Sequence, residues 1–154
     1  MKRGSLLIVV ACVLAAGAAR PRDKARTDLD LLQGSWAIVE KEFMGKKATR
    51  DEVAMLKGEM IIKESVVTQW AEEKGTKSIV SRSTLKLDPK ARPRHMDLTY
   101  TSGDLKGKTV LGIYELNGDV LKACYSMEDH KRPAEFAGKN EGKAFLLIYK
   151  RVKK

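Results

Sequence analysis

Asn117-Gly118 separates two runs in which apolar and polar residues alternate, 109–116 and 119–126. A two-residue Asn-Gly loop between alternating runs is a strong short-range signal for a β-hairpin, because its type I′ turn matches the twist of the flanking strands. A turn centred on this pair sets Leu116 opposite Asp119, Tyr114 opposite Leu121, Gly112 opposite Ala123 and Val110 opposite Tyr125. One face then carries Val110, Gly112, Tyr114, Leu116, Leu121, Ala123 and Tyr125. It is nearly all apolar and should point into a core. The other face, with Leu111, Ile113, Glu115, Lys122 and Cys124, is mixed and should point outward. Gly112 opposite Ala123 leaves either spare interior volume or a tight bend.

The alternation recurs along the chain. Strands are expected at Gly34–Phe43, 58–63, 66–71, 77–87, 95–101 and Ala144–Arg151, separated by turns rich in Gly, Pro and Asp. The run Asp28-Leu29-Asp30-Leu31-Leu32 is long enough for one helical turn before the first strand. Thr49 followed three residues later by Glu52 is a capping box, so a short helix with Val53 and Leu56 on its apolar side should follow the first strand. It could lie as a lid over a barrel mouth or be a simple connector. Residues 127–143 form a long polar connection in which Phe136 should tuck against the strands. There is no strand–helix–strand alternation. The simplest architecture is all-β, a small antiparallel barrel of about eight strands, since closure removes sheet edges.

Gly34-x-Trp36 opens the first strand. The indole is a large rigid block able to plug one end of a barrel, and its N–H needs a partner. In a closed barrel the last strand pairs with the first. Arg151 could then reach Trp36 and stack on it, a cation–π contact worth about 1 kcal/mol; the alternative is an exposed arginine at a basic tail. Strict alternation puts Glu40 on the same face as Trp36 and Ile38. Either a carboxylate points into a cavity, or the strand bulges or ends exposed there.

The chain has 154 residues and a formal net charge of +10. Lys2 and Arg3, an apolar run from residue 5 and small residues at Ala16 and Ala18 read as a cleavable export signal over 1–19. The apolar run is shorter than a membrane-spanning helix needs. Val9-Val10-Ala11-Cys12 is a less favoured lipoprotein box. Residues 20–30 read as a linker and 31–152 as the barrel domain. With the leader removed only Cys124 remains, so an internal disulfide is excluded, and a thiol packed on a strand is expected. The basic balance favours an anionic surface or protein partner. Nucleic acid is disfavoured, because no helix clusters Arg and no aromatic–basic recognition motif is present. A monomer is expected.

Several pieces together resemble a lipocalin-like domain family of small exported proteins abundant in planctomycetes. They are Leu32-Gln33-Gly34-Ser35-Trp36, Leu87-Asp88-Pro89, Met96-Asp97-Leu98-Thr99, Gly107-Lys108-Thr109 and the run from Gly112 to Asp119. Leu121, Cys124, Arg132-Pro133, Glu135-Phe136 and Lys150-Arg151 complete the match over about residues 31 to 151. The resemblance implies a lipocalin-like barrel and brings no activity with it. The wider lipocalin and fatty-acid-binding group implies a small apolar ligand, by analogy of fold.

Eight-stranded barrels hold one small ligand or are filled by their own side chains. The candidate lining groups are Trp70, Met96, Tyr100, Tyr114 and Tyr125. Arg151 or Arg82 could meet a ligand carboxylate, although alternation turns Arg82 outward. The alternative is a cell-surface interaction or structural module with a packed barrel. An enzyme is not expected: His95 and His130 are the two histidines, and no catalytic or metal-ligating spacing includes them. No cofactor or metal is implied.

Overall fold

The computed structural model describes residues 26–56, 58–128, 130–138 and 143–153. The expected leader, Cys12 and the start of the linker lie outside the described residues. The described chain begins at Arg26, and Thr27 caps α1 (Asp28–Leu32). The Thr27 hydroxyl accepts from the Asp30 amide at 3.2 Å, and the Asp30 carboxylate accepts from the Thr27 amide at 2.9 Å. This reciprocal cap sustains a helix of a single turn. The second helix, α2 (Arg50–Leu56), has the expected box: Glu52 accepts from the Thr49 amide at 2.7 Å, and Thr49 from the Glu52 amide at 3.2 Å.

Between the helices run β1 (Gly34–Phe43) and β2 (Lys46–Lys47). After α2 come β3 (Glu59–Lys63), β4 (Val66–Glu73), β5 (Thr76–Asp88), β6 (Arg94–Ser102), β7 (Thr109–Asn117), β8 (Val120–Ser126) and β9 (Ala144–Arg151). Each strand from β3 to β9 pairs antiparallel with the next, β3 pairs with β1, and β9 returns to β1 from Trp36↔Arg151 to Phe43↔Phe145. The result is a closed antiparallel barrel of eight strands with a short helix after the first. β2 stands outside the ring, folding back on the end of β1 with Glu42 opposite Lys47 and Phe43 opposite Lys46.

Two registers differ from expectation. In β1 the pairing with β9 slips between Ile38 and Glu40, so Val39 is an extra residue. Trp36 and Ile38 stay inward, while Glu40 lies opposite Ile148 and is exposed. Of the two readings of Glu40, the bulge is the one found.

In the β7–β8 hairpin the pairs are Gly112↔Tyr125, Tyr114↔Ala123, Leu116↔Leu121 and Asn117↔Val120. Asn117 therefore ends the strand, and the loop is Gly118-Asp119, with Gly118 at φ 57° in the first central place. That position suits a type II′ turn. The register differs from the expected one by two residues, an even number, so each residue keeps its face. The inward set was right and its partners were wrong. Gly112 leaves no spare volume: a Cβ there would lie 2.6 Å from Cδ1 of Tyr125.

The inward face is one continuous buried cluster. It includes Leu32, Trp36, Met60, Ile62, Val67, Leu85, Met96, Leu98, Tyr114, Leu121, Ala123, Tyr125, Leu147 and Tyr149. A second cluster lies outside the barrel wall, where Ile113, Cys124, Ala144 and Leu146 are covered by Phe136 from the long connection. Arg132 pins that connection. Its guanidinium forks onto the Asp97 carboxylate, with Nη2 at 3.0 Å from Oδ2, and also donates to the Gly112 carbonyl. The outward face of the hairpin is mixed because part of it is a second interior.

Candidate functional site

The α1 end of the barrel is plugged. Trp36 is 0% exposed, and its indole N–H donates to the Leu32 carbonyl at 2.8 Å. The Arg151 guanidinium carbon lies 4.2 Å from the Trp36 ring centre. Arg151 also donates to the Gln33 carbonyl at 2.6 Å and to the Leu31 carbonyl, and its Nε reaches Asp119 at 3.0 Å. Gln33 completes the seal by accepting from the Glu64 amide at 2.6 Å and donating to the Glu64 carbonyl at 3.0 Å.

On the same end Asp28 receives two donors. Tyr114 donates its hydroxyl at 2.5 Å and Arg94 its Nη1 at 2.8 Å, with the Arg94 guanidinium also 5.4 Å from the Tyr114 ring centre. Burial works against the Asp28 charge, but the Tyr114 hydroxyl and the Arg94 cation outweigh it and hold the carboxyl below its ordinary range. A carboxyl lowered by folding stabilises fully above its unfolded pKa, about 3.9, and the gain is lost as pH falls through the folded value. Asp28→Asn is therefore expected to cost about 1 kcal/mol at pH 7, a modest value because the pair is only partly buried. The gap from wild type should close as pH drops below about 3.9. Urea unfolding at a series of pH values checks this; a gap independent of pH would remove the charge from the account.

Four of the five candidate ligand residues point inward. Met96 and Tyr125 are spent on each other, the Tyr125 hydroxyl lying 3.1 Å from the Met96 sulfur. Tyr114 is committed to Asp28. Tyr100 packs at the far end, where burial raises its phenol pKa against a hydrogen bond from Gln69. Beside it Ser81 bonds to Gln69, and Ser81 and Ser83 are buried. An opening of about 190 Å3 at this end is lined by Ile38, Met60, Gln69, Trp70, Val80 and Tyr149, among others. Pockets for drug-sized ligands span roughly 300–1,000 Å3.

Trp70 is the exception: it borders that opening, but the inward direction expected of its side chain is corrected. It pairs with Glu59, whereas its neighbour Gln69 pairs with the inward Met60, so the indole lies on the outer face. There it packs near Lys77, whose ammonium is 5.5 Å from the ring centre and is paired with Glu59. Its Nε1 is buried with no hydrogen-bond partner among the described residues. Arg82 is exposed, as alternation indicated.

A larger concavity lies outside the barrel and was not legible in the sequence. It has a volume of about 580 Å3 and sits between α2, the outer face of β1, β8 and β9, and the long connection. Its cationic side chains, Lys41, Lys47, Arg50, Lys122 and Lys150, come from five separate places in the chain. Among the described residues no group of three or more His, Cys, Asp or Glu could hold a metal ion.

The fold and these sites define a small closed barrel with a plugged end. No family model matches the chain, and no curated protein does. Among solved structures it is similar to an uncharacterized protein from Bacteroides eggerthii DSM 20697, with a TM-score of 0.50 and 12% identity. The likeness covers 78% of this chain and 98% of that one. At that identity it speaks for the fold alone.

Proposed function

We propose that this chain is an exported, lipocalin-like protein that acts through its outer surface, as an interaction module with a self-filled barrel and no catalytic step. The observation that carries the reading is the single buried cluster running through the interior, in which the aromatic and sulfur groups a ligand would meet already contact one another. A barrel of this strand number is as able to be filled as to be hollow. The basic balance of the chain then supplies the long-range attraction for an anionic partner.

Native mass spectrometry of protein purified from the exported fraction tests it. The expected mass is that of the polypeptide alone, shortened by a leader of about 18 or 19 residues. Titration with a fluorescent fatty acid should give no saturable signal. A co-purified apolar molecule at one per chain, displaced by that probe, would overturn the proposal.

A further inference from the structure

We infer that the concavity outside the barrel, between α2 and β9, is a docking site for an acidic, amphipathic peptide segment of a protein partner. The inference rests on the surface-acting reading above and names its partner class. The floor is apolar: Val39, Leu146 and Ile148 lie along the strands, Val53 stands on the α2 side and Phe136 on the side of the long connection. Val39 lies on this outer face by alternation with the inward Trp36 and Ile38, and the bulge that follows brings Glu40 to the same side.

The rim is cationic. Lys41, Lys47, Arg50, Lys122 and Lys150 face two carboxylates, Glu40 and Glu42. Glu42 is occupied, accepting from the Gly138 amide at 3.2 Å. Lys122 lies 4.9 Å from the Phe136 ring centre, so its stem covers the aromatic while its charge stays at the edge. Among the described residues, no salt bridge involves the other four cations. An apolar floor within a rim where cations outnumber carboxylates is complementary to a segment that interleaves apolar and acidic side chains. The volume of about 580 Å3 falls among pockets of ligand size. The concave shape favours an inserted segment over a flat anionic membrane.

Panning a random dodecapeptide display library against the full folded protein tests this at low salt. Peptides interleaving Asp or Glu with apolar residues should be enriched. The double variant Arg50→Glu/Lys150→Glu should weaken their binding at least tenfold, and rising salt should weaken wild-type binding. Arg50 and Lys150 are both exposed, so circular dichroism and the thermal midpoint should match wild type. The same peptides should still bind Arg82→Glu/Lys86→Glu, a reversal on β5. No enrichment, enrichment of neutral or basic sequences, or equal binding by the Arg50/Lys150 variant would overturn the inference. So would binding to anionic phospholipid vesicles in place of peptides. Failure of the self-filled barrel is read separately, from the mass spectrum.

Discussion

Replacing Trp36 with alanine is expected to destabilise the fold by about 3–5 kcal/mol, the range for removing a large aromatic from a core. Three losses coincide. The indole is fully buried, so its removal leaves a cavity at the plugged end. The Leu32 carbonyl loses its donor at the end of α1, and the Arg151 guanidinium loses the ring beneath it. Domains of this size are stable by roughly 5–15 kcal/mol, so the variant should be close to unfolding at 37 °C. Trp36→Phe keeps most of the volume and should cost much less. Urea unfolding curves give both numbers. An alanine cost below about 1 kcal/mol would mean that the end of the barrel is held shut by something other than the indole.

Gly112→Ala is the second large effect, expected at about 1–3 kcal/mol or more as overpacking. The added carbon would lie 2.6 Å from Cδ1 of Tyr125, 2.8 Å from the Met96 carbonyl oxygen and 3.0 Å from the Cys124 carbonyl oxygen. The Tyr125 ring could rotate away. The two carbonyls belong to β6 and β8, which pair with β7 on either side, and they cannot. Placing the same substitution in a Tyr125→Leu background separates these causes. Most of the cost should persist there, and the double-mutant cycle reports the difference. Disappearance of the cost would assign the whole effect to the ring.

Much of the barrel was legible because alternation is a local property. The inward face of the β7–β8 hairpin, the capping box at Thr49 and the meeting of the first and last strands all follow from short patterns. The hairpin register was not legible. Asn117-Gly118 and Gly118-Asp119 are both good turn pairs, and the choice is settled from a third strand. The Arg151 amide donates to the Asp119 carbonyl at 2.9 Å, and its Nε reaches the Asp119 carboxylate. A contact from β9 thus fixes a loop that local preference leaves undecided.

Trp70 was misplaced for a related reason. In β4 neither alternating set, Val66, Thr68 and Trp70 or Val67, Gln69 and Ala71, is clearly the apolar one. Only pairing with Met60 on β3 decides which faces in. The clamp of Asp28 on Arg94 and Tyr114 joins residues 66 and 86 positions apart. The outer concavity draws its cations from β1, β2, α2, β8 and β9, so its charge exists only once the strands are adjacent.

The bond between β1 and β9 also sets an order of events. While residues 144–151 are still being synthesised, β1 and β8 each present a row of unpaired amides and carbonyls. Such margins are templates for pairing with other chains. Non-local pairing of this kind is slow to form and leaves a chain exposed to aggregation. A nascent chain stopped short of β9 therefore holds a curved, two-sided sticky sheet, and a protein that must stay unpaired until its last residues arrive depends on whatever keeps such chains apart in the meantime.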